Sequence, residues 1–284
     1  MSTFKNFHPA VLFMYFFFVI FISIFSFNPI YLVIGFSGAL FFGFYLFEKK
    51  SLAKSAAVYL IVFIAVAITN PLFSHNGATV LFFINDNRVT LEAFIYGAVL
   101  GLAVIEVIFW FKCINSVFDS EKLIFLFGKI FPKLALVFSM TLRFIPEFVR
   151  SFKNINTSQK LIGKKIPRLK RYMLSFSAVI TQSMENSILT SDSMKARGYG
   201  LKPRSFYYRF RFTVSDAVYL IISAVLFTVS LICVGEFTYY PELIIPKADM
   251  RICAGYVSFF LLSFIPFIYE VKEGIRWKYS ISKI

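Results

Sequence analysis

Histidine occurs twice in 284 residues, cysteine three times, and acidic residues fifteen times against thirty Lys and Arg. Each scarcity excludes something. His8 and His75 lie far apart, one in an apolar amino-terminal segment and one in a loop, so neither a His-Glu-x-x-His zinc helix nor a Ser/His nucleophile pair is present. Cys113, Cys233 and Cys253 are scattered within or beside apolar segments, which supports neither a disulfide framework nor a metal site. No Gly-x-x-x-x-Gly-Lys-Ser/Thr loop occurs, so the chain has no phosphate loop with which to hydrolyse ATP. Internal repeats are lacking too, and Glu106 is nearly alone among apolar residues. A self-contained secondary transporter calls for a polar midplane site on broken, repeated helices.

What the sequence has is apolar length. Hydrophobic residues make up 58% and phenylalanine alone contributes 39, whereas ordinary soluble domains are about 45–50% apolar. Segments 10–27, 30–47, 55–69, 91–111, 214–234 and 252–269 are each apolar for roughly 15–21 residues, which at 1.5 Å per residue approaches or matches a hydrocarbon core of about 30 Å. The expected fold is an all-α polytopic membrane protein with about six transmembrane helices, five to eight being compatible with the pattern. The first run follows Lys5 as a secretory signal would, but it is about eighteen residues long, lacks a small-x-small cleavage site and turns at once through Asn28-Pro29 into the second run. It is expected to be a retained helix in a tight helical hairpin.

Charge gives the orientation. Lys5 precedes the first run, Lys49, Lys50 and Lys54 separate the second from the third, and Lys272, Arg276, Lys278 and Lys283 follow the last. The positive-inside rule places these groups, and with them both termini, in the cytoplasm. The loops 70–90 and 235–250 hold only Arg88 and Lys247 as cations against Asp86, Glu236, Glu242 and Asp249, which fits the outside.

Between Lys112 and Arg211 lie 19 of the 30 basic residues and five acids, a net charge of +14. Plain topological retention is compatible with that balance, and so is a docking surface for an acidic partner or anionic headgroups. The stretch is not a polar loop. "LIFLFGKIFPKLALVFSMTLRFIPEFV" (123–149) is apolar enough to span, yet it carries Lys129, Lys133, Arg143 and Glu147, and each charge at bilayer centre costs at least about 2.5–3.5 kcal/mol. In 172–198, Met173, Phe176, Val179 or Ile180, Met184, Ile188 and Leu189 recur at roughly i, i+3, i+4 spacing. Amphipathic helices at the cytoplasmic face fit both segments, and two further spans remain compatible. The chain thus divides into amino-terminal membrane helices (1–113), a cytoplasmic helical region (114–212), and carboxy-terminal membrane helices with a basic tail (213–284).

The second amphipathic helix is expected to stop at Gly198, since Gly tolerates a left-handed C′ position and Gly200 and Pro203 follow. Arg197 then sits in the last turn. Two roles fit it: complementing the helix dipole, worth about 0.3–1 kcal/mol, or presenting a planar five-donor cation to carboxylates or carbonyls of another protein.

These residues carry a resemblance. "SDSMKARGYG" (191–200) contains Ala196-Arg197-Gly198, which is similar to the Ala-Arg-Gly signature closing a coupling helix in the transmembrane T component of energy-coupling factor transporters, the family that includes the membrane scaffold of cobalt and nickel importers. "FPKLALVFSMTLRFIPEF" (131–148) resembles the opening of that coupling region, and "FHPAVLFMYFF" (7–17) and "NPLFSHNGATVLFFINDNRVTLEAFIYG" (70–97) resemble the family's amino-terminal and third-loop patterns. One position departs. The family carries a second, earlier Arg-bearing triplet, and the corresponding place after "NINTSQK" (154–160) reads Leu161-Ile162-Gly163, flanked by Lys160, Lys164 and Lys165.

The resemblance implies a scaffold with no active site, no metal and no cofactor of its own, ATP being bound by partner subunits. It implies two ABC-type ATPase subunits docked on Ala196, Arg197 and Gly198 and, as a possible second coupling site, on Leu161, Ile162 and Gly163. It also implies a membrane S component that captures a vitamin or metal ion and packs on the apolar face holding Met173, Phe176, Ile180, Met184 and Ile188. The expected surroundings are the lipid bilayer of a bacterial or archaeal cell membrane, and nucleic acid is not among the expected partners. The alternative function is a self-contained secondary transporter.

Overall fold

A computed structural model describes residues 4–74, 77–84, 87–128, 130–162, 167–201, 210–235, 237–241, 243–244, 246 and 249–281. Its backbone forms two compact units, one comprising Met1–Lys122 with Phe210–Ile284 and the other Leu123–Arg209.

The first unit holds α1 (Pro9–Phe25), α2 (Pro29–Leu46), α3 (Lys49–Phe73), a hairpin of β1 (Val80–Ile84) and β2 (Asn87–Thr90), α4 (Leu91–Val117), and, after the second unit, α8 (Val214–Ile232) and α9 (Met250–Ile281). Five of these helices, α2, α3, α4, α8 and α9, are long and apolar enough to cross a membrane. The protein is a multi-pass, essentially all-helical membrane protein. α1 is equally apolar but has 17 residues, about 26 Å of rise, just short of a ~30 Å core.

Helix starts follow local chemistry. Asn28 caps α2 by accepting a hydrogen bond from the Ile30 backbone N–H at 3.0 Å, with Pro29 at the first helical position. Thr213 and Asp216 form a reciprocal capping box at the start of α8. Asp216 also accepts from the His8 backbone N–H at 3.0 Å, which ties the start of α1 to that of α8. The Asn28-Pro29 turn does not, however, close a tight α1–α2 hairpin. α1 packs mainly on α8 and α4, and α2 on α9 and α4, with little contact between α1 and α2. The third loop also differs from the loop expected at 70–90: Val80 pairs with Thr90 and Phe83 with Arg88 in an antiparallel register.

An aromatic core binds the helices, with Phe4, Tyr15, Phe16, Tyr31, Phe42, Phe109, Trp110 and Phe259 all buried. Phe4 meets Phe7, Tyr15, Phe16 and Phe42 edge-on at 5.5–6.4 Å between centroids, the geometry that ring quadrupoles favour. Two fully buried carboxyls lie within this apolar mass, Glu106 and Glu270, the latter accepting from the Phe4 backbone N–H at 2.9 Å. Glu106 is fully buried and accepts from Ser23 Oγ at 2.5 Å, with the buried Trp110 one turn on along α4. Gly35 of α2 makes the room: a Cβ there would stand 1.9 Å from Glu106 Oε1. Glu106 thus links α1, α2 and α4 as a structural contact.

A buried cation stands where the first unit ends. Lys122 is 4% exposed and donates from Nζ to the backbone carbonyls of Lys5 (2.5 Å) and Val117 (2.8 Å). Burial pushes its amine down to about 8, against the opposing pull of Asp119 and with a smaller push from Lys5.

The second unit consists of the end of α5 (Ser120–Gly128), α6 (Pro132–Leu161) and α7 (Arg168–Ala196). The apolar segment 123–149 is therefore not one helix. It breaks ahead of Pro132, which occupies the first turn of α6, where its missing N–H costs nothing.

Candidate coupling site

α6 and α7 are amphipathic and bury almost nothing of their own. None of the 30 residues of α6 is buried, and in α7 only Ser175 and Val179 of 29 are. They cross where Phe152 stacks on Tyr172 (6.2 Å, 8° between planes) and Ser175 Oγ donates to Gln159 Oε1 at 3.1 Å. Beside that crossing they enclose an open apolar groove of about 430 Å³, with Phe148, Val149 and Phe152 on one wall and Phe176, Ile180 and Met184 on the other. Ser183 and Ser187 also line it. Their hydroxyls donate back to the carbonyls of Val179 (2.6 Å) and Ser183 (2.7 Å), so they present small, internally satisfied side chains.

The structure sorts the five expected contact residues. Phe176, Ile180 and Met184 come together in the groove. Met173 and Ile188 are exposed on the same helix but do not line it. The α6 wall was not expected as part of the site. Its signal was present in sequence as Phe148, Val149 and Phe152 at i, i+1, i+4, a spacing that puts them on one helix face.

The two triplets meet the ends of their helices at corresponding positions. α7 ends at Ala196, with Arg197 as its cap residue. Gly198 takes φ +86°, and its N–H reaches Lys195 O at 2.9 Å while that of Tyr199 reaches Met194 O at 3.0 Å. That pair of bonds is a Schellman closure, and the left-handed residue it needs is cheap only as glycine. Gly200 is left-handed as well, at φ +102°. Arg197 is exposed, and its guanidinium has no ion pair or hydrogen bond among the described residues. α6 ends at Leu161, with Ile162 as its cap residue. These two are 82% and 70% exposed, a high value for large apolar side chains. Gly163 lies outside the described residues. The described members of both triplets thus occupy the same two places, the last helical residue and the cap, on successive helices.

Residues 2–208 match the family of the cobalt transport protein CbiQ. The match takes in α1 through α7 and both helix tips, and it covers well over half of the chain. The chain belongs to this family. No curated protein matches it in a direct comparison of sequences. As a member of the CbiQ family it is a component of a membrane transport system. The two helix tips and the groove are among the features of its second unit that a partner could engage, since apolar side chains such as Phe176, Met184, Leu161 and Ile162 stand uncovered there.

Proposed function

We propose that this chain is the transmembrane scaffold of an energy-coupling factor importer in a bacterial or archaeal cell membrane, with both termini in the cytoplasm. Two ABC-type ATPases dock on the tips of α6 and α7. A membrane S component that captures a vitamin or metal ion rests on the α6–α7 groove. Closure of the ATPase pair on binding ATP moves the two helices as levers, and the S component tips with them.

The observation that carries this reading is the equivalence of the helix ends. Leu161-Ile162 and Ala196-Arg197 close α6 and α7 at the same two positions, as a pair of docking points for a pair of subunits requires. The tips differ in chemistry. Arg197 offers a bidentate fork to acidic or carbonyl groups, whereas Ile162 offers an apolar knob, so the two ATPase contacts are expected to be unequal in polarity. Glu106, a buried acid that a self-contained transporter could use, is closed in by Ser23 and Gly35, which favours the scaffold over that alternative.

Co-expression with the cognate ATPases and S component tests the assignment. Ile162→Asp places a charge at the apolar tip and should release the ATPases while the S component stays bound. Met184→Glu places one in the groove and should release the S component while the ATPases stay. If each variant released both partners or neither, the division of roles would be wrong.

A further inference from the structure

We propose that the groove between α2 and α3 is a binding site for one anionic membrane phospholipid, its headgroup held by the lysines that open α3 and one acyl chain laid along the groove. Both helices pack along α4 and scarcely touch each other, so a wedge opens between them. Phe36, Leu40 and Phe44 form one wall, Ala56, Leu60 and Phe63 the other, and α4 supplies the floor. The volume is about 520 Å³, within the range of roughly 300–1,000 Å³ typical of small-molecule sites.

Polarity is confined to one end. Lys49 lines the groove there, Lys50 and Lys54 are exposed within the next turn and a half of the same helix without lining it, and the acid beside them is Glu48. Lys112 adds charge from α4: its Nζ donates to Ser55 Oγ at 2.7 Å and sits 4.7 Å from the centre of the Phe47 ring. From Lys49 to Phe63 the groove follows fourteen residues of helix, about 21 Å, which is half of a bilayer of about 40–45 Å including headgroups. A long apolar slot one leaflet deep with cations at its mouth complements an amphiphile with an anionic head. A zwitterionic lipid would fill the slot equally well but leave the cations without net opposite charge. This inference does not depend on the coupling assignment.

The test is native mass spectrometry of the full-length chain released from detergent with either phosphatidylglycerol or phosphatidylcholine of identical acyl chains. One phosphatidylglycerol should be retained at least about ten-fold over phosphatidylcholine. Each lysine near an anionic headgroup contributes about five-fold, so Lys49→Gln/Lys50→Gln/Lys54→Gln should bring the two lipids to near parity. Ala56→Trp plugs the slot from an exposed position and should remove both lipids without lowering the unfolding temperature. Equal retention of both lipids by the unaltered chain, or undiminished retention by Ala56→Trp, overturns the proposal. So does a photo-crosslinker at Leu60 that yields a protein-sized adduct instead of a lipid adduct in the assembled transporter.

Discussion

Gly35→Ala tests whether Glu106 is the structural contact that its surroundings indicate. The added methyl would lie 1.9 Å from Glu106 Oε1, 2.8 Å from its Cδ and 3.2 Å from Phe259 Cε1, and no rigid arrangement accommodates the first of these. The carboxyl must swing away or α2 must back off α4. Swinging breaks the 2.5 Å bond from Ser23 and leaves buried polar atoms unpaired, at about 1–3 kcal/mol. Backing off overpacks or loosens the interface, at about 1–3 kcal/mol. The variant takes the cheaper of the two routes and should lose about 1–3 kcal/mol, roughly 2–12 °C in unfolding temperature for a unit of this size, measured by thermal unfolding in detergent. Glu106→Ala removes the clashing atoms, so the double variant should be more stable than the sum of the single losses by at least about 1 kcal/mol. A Gly35→Ala protein that unfolds at the parental temperature, or strict additivity in the cycle, would refute the reasoning.

Gly198→Ala forces a side chain into φ +86° with Leu201 Cδ1 at 3.3 Å from the new methyl; it should cost roughly 1–2 kcal/mol and loosen the α7 tip, read as faster amide hydrogen exchange at Gly198 and Tyr199. Lys122 has a folded value of about 8, below its ordinary value near 10.5, so the folded chain releases that proton first. Stability should therefore rise with pH between about 8 and 10.5 and fall away as pH drops through 8, a dependence that Lys122→Met should flatten in unfolding scans. With Cys233 and Cys253 replaced by Ser, a cysteine at Leu81 should react with an impermeant thiol reagent in intact cells and one at Ser158 should not; the reverse pattern would invert the topology.

Much of this architecture could be read from residue order alone, because membrane helices announce themselves as apolar runs and their ends as caps. The Asn28-Pro29 start of α2 and the Gly198 stop of α7 are local signals, set by groups within a few residues of each other. What could not be read depends on distant partners. Nothing near Glu106 in sequence names Ser23, 83 positions away, or the glycine across the interface that admits the carboxyl. The α6 wall of the groove was hidden for a related reason. Phe148, Val149 and Phe152 look like any apolar stripe until α7 crosses them, and the crossing is fixed by contacts between helices at Phe152, Tyr172, Gln159 and Ser175. The break ahead of Pro132 had a local signal in Gly128, Lys129 and Pro132, which the apolar residues on both sides of it outweighed.

The docking of ATPase subunits on the helix tips is tested most directly by ATP-driven uptake in vesicles that contain the chain with its cognate ATPases and S component. Arg197 is exposed on a rigid cap, so its replacement leaves the fold of this chain intact. If the guanidinium is buried against acidic or carbonyl groups of an ATPase, removing it leaves those groups unpaired at about 2–5 kcal/mol. Arg197→Ala should then abolish most uptake and ATPase retention with normal membrane insertion, and Arg197→Lys, which keeps the charge without the fork, should fall between. Near-normal uptake by both variants would contradict the account and reduce Arg197 to a cation at the end of a helix dipole.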